Sequence, residues 1–148
     1  MKFLIQRVES ASVTVEGSVT GEIQKGFLVF VGVTNEDTTE IADRMVKKML
    51  GLRIFEDEEG KTNRSLADVE GSLLIVSQFT LYADCKKGNR PSFIKAGNPE
   101  HAKKLYQYIV EHTKKSAHVQ TGIFGAAMKI SLINDGPFTV ILDSEELF

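Results

Sequence analysis

The sequence predicts an α+β fold of largely antiparallel β-sheet, barrel- or sandwich-like, packed with two helices. Its 148 residues match the usual size of one domain, so we treat residues 1–148 as a single domain. Alternating or wholly apolar runs outnumber the two stretches with helical periodicity. Strands and helices do not alternate strictly along the chain, which favours α+β over a parallel α/β fold.

The first third of the chain is predicted to be β-structure. Residues 3–8 and 12–15 alternate in polarity, and a turn signal at 16–18 leads to a short strand at 19–24. Residues 27–33 are almost wholly apolar, which predicts a strand buried on both faces.

Two helices are predicted from apolar residues spaced three and four apart. The first begins near Asp37 or Thr38, both common helix N-caps. The second has Asn98 as its cap and Pro99 at its first helical position, a strong start signal. A long polar loop at 82–98 precedes this second helix. The remaining strands are expected at 52–55, 73–76 (running into 77–81), 118–122, 128–133 and 138–142.

Composition excludes several classes of protein. Hydrophobic residues make up 42% and charged residues 26%, which argues against a disordered chain. No apolar run approaches the roughly 18 residues that span a bilayer, and the first residues do not form a signal peptide. The one cysteine, Cys85, suits a reducing compartment. We therefore expect a cytoplasmic protein without a membrane partner.

The charge is unevenly distributed. The formal net charge of −2 taken alone argues against a nucleic-acid partner. However, residues 35–70 carry a net −4, whereas residues 84–115 carry a net +5. The basic stretch is either a solvated surface or a local binding face.

Familiar catalytic and metal-binding patterns are missing. Cys85 has lysine neighbours but no histidine nearby in sequence to act as its base. The spacing of His101, His112 and His118 fits no metal site, and the glycines at 122–125 are too closely spaced for a nucleotide fingerprint. We therefore expect neither a metal nor a cofactor.

Two segments remain unexplained by folding alone. Ser77-Gln78-Phe79-Thr80 places polar side chains directly after a buried strand, where they either bind a ligand or satisfy their own backbone. Asn134-Asp135-Gly136-Pro137 lies between two predicted strands and is either a hairpin turn or a ligand-binding turn. A Gly-Pro bond adopts the cis form at modest cost, and a cis bond would turn two neighbouring carbonyls the same way.

These two segments resemble the signature motifs of the D-aminoacyl-tRNA deacylases. The motifs stand here as Ser77-Gln78-Phe79-Thr80-Leu81 and Asn134-Asp135-Gly136-Pro137-Phe138-Thr139. Phe138 is bulkier than the valine expected there. The Arg7-Val8 pair, the loop at 87–91 and the segment at 121–126 also resemble the family, in the same order, so the likeness covers essentially the whole chain.

The resemblance implies a cytoplasmic homodimer that hydrolyses the ester joining a D-amino acid, or mischarged glycine, to tRNA. It implies a catalytic pocket lined by Ser77, Gln78, Phe79 and Thr80 around the 3′-terminal adenosine. A cis Gly136-Pro137 would enter the partner subunit's site and reject L-aminoacyl groups.

We assign tRNA phosphate contacts to Lys86, Lys87 and Arg90, and we expect no DNA partner. The competing interpretation is a non-catalytic RNA- or protein-binding module that uses an exposed sheet edge. An enzyme that uses the loop thiol is a more distant alternative.

Overall fold

The computed structural model describes residues 1–148 and confirms the predicted α+β class. The strands are β1 (Lys2–Val15), β2 (Ser18–Ile23), β3 (Gly26–Gly32), β4 (Phe55–Glu56), β5 (Thr62–Arg64), β6 (Ser72–Ser77), β7 (His118–Thr121) and β8 (Lys129–Asp143). The helices are α1 (Thr39–Leu50), α2 (Pro99–Lys114) and the short α3 (Ser144–Leu147), and a 3-10 turn spans Phe79–Tyr82. The short α3 was not predicted.

One six-stranded sheet forms the body of the molecule. Its order is β2-β1-β3-β6-β7, and β8 pairs with the other side of β1. Strand β1 runs antiparallel to β2, β3 and β8, whereas β6 runs parallel to β3 and β7. The predicted largely antiparallel sheet therefore contains a parallel part.

The sheet curls until its first and last strands in this order lie side by side. The Thr20 hydroxyl of β2 donates to the Thr121 carbonyl of β7 at 3.4 Å. A Cβ on Gly21 would lie 2.5 Å from the same carbonyl oxygen, so the two strands approach this closely only because Gly21 has no side chain. The result is a nearly closed barrel.

The two faces of the sheet bury separate hydrophobic clusters. On the outer face, alternate residues such as Phe3, Ile5 and Val29 pack against buried residues of α1 and α2. On the inner face, Val13 and Leu28 belong to a cluster that contains no helical residue. Each fully buried side chain of this kind stabilises the fold by about 1.5–3 kcal/mol.

Both predicted helices form with the expected type of cap. The Thr38 hydroxyl accepts from the Ile41 amide at 3.3 Å, which identifies Thr38 rather than Asp37 as the cap of α1. The Asn98 side chain accepts from the Glu100 amide at 2.9 Å, directly before Pro99. None of the helices has the length and hydropathy needed to cross a lipid bilayer.

Several predicted boundaries are wrong, and the errors have physical reasons. The strands predicted at 3–8 and 12–15 are one strand, β1, because pairing with β8 continues along its whole length. The strand predicted at 52–55 is reduced to Phe55–Glu56, paired only with β5. Residues after Ser77 were predicted to stay extended but turn into the 3-10 segment instead.

The hairpin alternative for 134–137 is also wrong. Asn134 pairs with Val8 and Thr139 pairs with Gln6, so both flanks of the segment belong to β8 and pair with β1 in the same direction. Residues 135–138 therefore form a bulge of four residues opposite the single residue Arg7.

Candidate active site

The segment that follows β6 is fixed by its neighbour β3. Ser77 ends β6 in register with Val31, and the Gln78 amide donates to the Val31 carbonyl at 2.8 Å. The turn that follows packs closely on Gly32, where a Cβ would lie only 3.1 Å from the Leu81 Cβ. This strand end is consequently a rigid support for the polar side chains that follow it.

A cavity of about 770 Å³ opens at this strand end. It lies between the end of β6, the first turns of α2 and the chain around residues 124–130. Its lining includes Ser77, Gln78, Phe79, Phe93, Pro99, Ala102, Tyr106, Phe124 and Met128. A mostly apolar cavity with a few polar groups is typical of a small-ligand site.

No charged side chain lines the cavity. The Tyr106 hydroxyl donates to the Ile75 carbonyl at 2.8 Å, and burial raises the pKa of Tyr106 to about 12. The Gln78 side-chain amide donates to the hydroxyl of Thr80, which is not among the lining residues. The cavity thus offers hydroxyls, the side-chain amides of Asn35, Gln78 and Asn98, and backbone groups, but no ionised acid or base.

The Gly136-Pro137 bond is cis and exposed within the β8 bulge. The ends of the bulge are joined by side chains, because the Thr139 hydroxyl donates to the side-chain amide oxygen (Oδ1) of Asn134 at 3.3 Å. Gln6 on β1 donates to the same oxygen at 2.9 Å. Asn134 and Thr139, the first and last polar residues of the second motif, are therefore hydrogen-bonded to each other across the base of the bulge.

Arg7 holds the bulge from beneath, and sequence reasoning did not identify it as a site residue. Its side chain is only 4% exposed, and Nε donates to the Asp135 carbonyl at 3.1 Å and lies 3.0 Å from the Asp135 carboxylate. Nη2 lies 3.4 Å from the Gly136 carbonyl oxygen, and Nη1 donates to the Ile54 carbonyl. An arginine within an alternating apolar strand was the available signal.

Phe138 completes this arrangement. The Arg7 guanidinium carbon lies 4.5 Å from the centre of the Phe138 ring, which is within the range of a cation–π contact. The bulkier residue at this position therefore packs on the arginine that supports Gly136.

The structure does not bring the two motifs together within one chain. Gly136 and Pro137 are not among the residues that line the cavity. The bulge lies opposite Arg7, which pairs with Phe27, whereas Ser77 pairs with Val31. The segments are thus three strands apart across the sheet and four residues apart along β3, about 13 Å at 3.3 Å per residue.

The predicted phosphate-binding residues lie on an exposed loop that ends directly before Phe93, a lining residue of the cavity. Asp84 and Ser92 exchange backbone hydrogen bonds of 2.8 and 2.9 Å, which closes the loop that carries Lys86, Lys87 and Arg90. The Lys86 amide donates to the Asp84 carboxylate at 2.9 Å and, as the main cause, lowers the pKa of Asp84. The three cations are exposed and do not line the cavity.

The cysteine and the histidines are placed apart from the cavity lining. Cys85 is exposed on the same loop. His101 contacts the Asp37 carbonyl at 3.1 Å, His112 lies 3.6 Å from the Asp43 carboxylate, and His118 is exposed. These side chains do not assemble into one site.

Comparisons with known proteins identify the family of the chain. A family model described as D-Tyr-tRNA(Tyr) deacylase matches residues 4–143. The D-aminoacyl-tRNA deacylase of Thermosipho melanesiensis is 53% identical, with all of both chains covered. A solved structure described as c-Myc DNA Unwinding Element Binding Protein is 41% identical and has a TM-score of 0.91, covering 97% of this chain and 98% of that one.

A more distant structure shares the fold. It is described as a probable eukaryotic D-amino acid tRNA deacylase, is 18% identical, and has a TM-score of 0.82 over 95% of this chain and 97% of that one. This neighbour shows the shared α+β barrel fold, and the full-length match to the curated relatives defines the class of protein as a deacylase enzyme. The chain belongs to the D-Tyr-tRNA(Tyr) deacylase family, whose curated relatives carry the name D-aminoacyl-tRNA deacylase.

Proposed function

We propose that the protein hydrolyses the ester that joins a D-amino acid, or mischarged glycine, to tRNA, releasing the free amino acid and tRNA. The observation that carries this proposal is the uncharged cavity at the end of β6, lined by Ser77, Gln78 and Phe79. An aminoacyl ester is already activated, so orientation and stabilisation of the oxyanion account for most of the catalysis required. The absence of charged side chains from the cavity lining is therefore compatible with catalysis of ester hydrolysis.

The backbone amides of Phe79 and Thr80 are the proposed oxyanion donors. Loss of one such donor typically reduces the rate about 10²- to 10³-fold. Two routes remain: attack by the Thr80 hydroxyl to form an acyl-enzyme, or attack by water oriented with help from the 2′-hydroxyl of the tRNA. The second is favoured because the hydroxyl of Thr80 contacts the Gln78 amide, which is not a base.

Replacement of Thr80 separates the two routes. Thr80→Val removes the hydroxyl while keeping the shape of the side chain and the backbone amide. The water route predicts near-normal kcat for this variant, measured by single-turnover hydrolysis of D-Tyr-tRNA. A fall of several orders of magnitude in a folded variant would instead support the covalent route.

Gly136 and Pro137 are proposed to complete the site of a partner subunit in a homodimer. They are exposed, supported by Arg7, and distant from the cavity of their own chain. Their backbone would hold the α-ammonium of the substrate, and an L side chain would collide with it. Rejection by collision needs no recognition of the accepted side chain, so broad tolerance of D-amino acids is expected.

The surface around β8 suits such a dimer. β8 pairs on only one side, and its large apolar side chains Ile133 and Ile141 are 55% and 66% exposed. Ile133→Glu should give a monomer that lacks deacylase activity, as judged by sedimentation and hydrolysis. Val19→Glu, at a 58% exposed position on β2, is the matched control. Full activity in a verified Ile133→Glu monomer would exclude insertion across subunits.

The tRNA is proposed to contact the loop cations through its phosphates, in the cytoplasm where tRNA is charged. The loop cations are Lys86, Lys87 and Arg90. Parallel incubation with D-Tyr-tRNA and L-Tyr-tRNA tests the function directly, and hydrolysis of the D form alone is the expected result. Hydrolysis of neither would favour the non-catalytic binding module.

A further inference from the structure

We propose that Ile94, with the outer edge of Phe93, forms a second base-binding surface for the nucleotide immediately 5′ to the terminal adenosine. This inference rests on the proposed function, because it assumes that the cavity receives the 3′ end of a tRNA. Ile94 is 90% exposed, more than any other large hydrophobic residue of the chain, and it does not line the cavity.

The apolar surface around Ile94 continues to the cavity. A single exposed isoleucine is ordinary on a protein surface. Here, however, the neighbouring Phe93 packs edge-on against Phe79, with ring centres 5.1 Å apart and planes at 75°. Both phenylalanines line the cavity, and they are 38% and 56% exposed. An apolar edge therefore leads from the cavity outward to Ile94.

The backbone around Ile94 is held in place before any ligand binds. The Ala96 amide donates to the Phe93 carbonyl at 3.0 Å, and the Gly97 amide donates to the Val33 carbonyl at 2.8 Å. The Lys95 ammonium lies 3.5 Å from the Asp84 carboxylate. Ile94 thus projects from a fixed turn, so little ordering would be needed when a base packs against it.

The surrounding charge identifies the occupant as single-stranded RNA. Exposed cations lie on the loop closed by Asp84 and Ser92, a few residues before Phe93. Cations for phosphates beside an apolar platform for bases are the pattern that binds single strands without reading their sequence. The cations in question are Lys86, Lys87 and Arg90.

The test compares two substrates that differ only in the nucleotides before the adenosine. Ile94→Ser should raise KM for D-Tyr-tRNA about 5- to 10-fold, the lower part of the range seen for loss of one stacked base. It should leave hydrolysis of 3′-O-D-tyrosyl adenosine unchanged, because that substrate has no second base. Val19→Ser, at an exposed aliphatic position on β2, is the matched control and should change neither.

A tRNA with an abasic site 5′ to the terminal adenosine closes the thermodynamic cycle. The KM of the wild-type protein should rise by the same factor when normal tRNA is replaced by this abasic tRNA. The KM of Ile94→Ser should be the same for both tRNAs. Four results for Ile94→Ser would overturn the proposal. They are an equal loss of activity on the adenosine ester, a further rise in KM on the abasic tRNA, an unchanged KM on normal tRNA, or a changed mass in sedimentation.

Binding of uncharged tRNA separates this proposal from the proposed function. Ile94→Ser should weaken that binding by the same factor even if no ester is hydrolysed. Wild-type protein that hydrolyses neither ester would refute the deacylase function alone. Unchanged binding of uncharged tRNA by Ile94→Ser would refute the base-binding surface alone.

Discussion

Replacement of Arg7 by methionine tests whether the support beneath Gly136 is needed for activity. The substitution keeps an unbranched apolar side chain in place of the arginine stem but removes every hydrogen bond of the guanidinium. It leaves the buried Ile54 carbonyl without its donor and the Asp135 carboxylate without its cation.

The cost in stability follows from these contacts. A buried acceptor left unpaired costs about 1–3 kcal/mol, and hydrogen bonds to charged groups contribute about 1.5–3 kcal/mol. The Asp135 side chain is 40% exposed, so water can replace much of its interaction with Arg7. We therefore expect Arg7→Met to lower the free energy of unfolding by about 2–4 kcal/mol, which leaves a typical domain folded.

Arg7→Met should also lower the activity of the protein that remains folded. If Gly136 and Pro137 orient the substrate, a displacement of about 1 Å costs on the order of 100-fold in rate. Urea unfolding would give the stability, and hydrolysis of D-Tyr-tRNA and L-Tyr-tRNA would give kcat/KM and chiral discrimination. The kcat/KM of Arg7→Lys should fall between those of the wild type and Arg7→Met, because lysine keeps the charge but lacks the planar guanidinium group.

An exposed arginine provides the control. Arg53 donates to the Asn63 carbonyl at 2.9 Å on the surface, so Arg53→Met should change activity little. Arg7→Met with the expected loss of stability but normal activity and normal rejection of L-Tyr-tRNA would refute the role of the bulge. No loss of stability would refute the energetic weight given to the contacts of Arg7.

Three further predictions concern the barrel closure, the cavity wall and the loop. Gly21→Val should destabilise the fold by about 1–3 kcal/mol in urea unfolding, because its side chain would collide with the Thr121 carbonyl; unchanged stability would contradict the close strand approach. Tyr106 has a folded pKa of about 12, above its ordinary value of 10, so its contribution is complete below pH 10 and is lost as the pH rises through 12. Tyr106→Phe should therefore remove a loss of about 2 kcal/mol from the wild-type stability curve over this range, and a curve with an unchanged loss would contradict the burial of this hydroxyl. Neutralising the loop cations should make the plot of log K against log salt for tRNA binding less steep, by roughly 2 in slope, without changing D/L discrimination. An unchanged slope would mean that the phosphates bind elsewhere. These cations are Lys86, Lys87 and Arg90.

The fold was predictable where local patterns and tertiary packing agree. The wholly apolar residues 27–33 form a buried strand, and Asn98-Pro99 begins a helix, as the sequence indicates. Strand pairing over long distances was not visible. The continuity of β8 through Gly136-Pro137 depends on its partner β1, which is more than 120 residues away in sequence. A turn signal in the sequence therefore becomes a bulge in the structure.

The site was predictable in its chemistry more than in its geometry. Ser77 and Gln78 could be predicted because polar residues directly follow a buried strand, and Phe79 through its motif; all three line the candidate cavity. Tyr106 could not, because a tyrosine on the apolar face of a helix looks like an ordinary core residue. Arg7 was overlooked because its contacts are with residues of β8 that only tertiary structure brings near it.

The overall charge of −2 is compatible with RNA binding because few phosphates need to be neutralised. Three exposed loop cations imply a modest salt dependence, about 0.7 per phosphate contact for a single strand. Such contacts alone give weak, nonspecific attraction, so much of the affinity for the acceptor end must come from apolar contacts with bases. In the proposals made above, the cavity and the exposed surface at Phe93 and Ile94 would supply those contacts. Affinity of the wild-type protein for uncharged tRNA should therefore fall less between low and high salt than it does for a protein that relies on a broad basic surface.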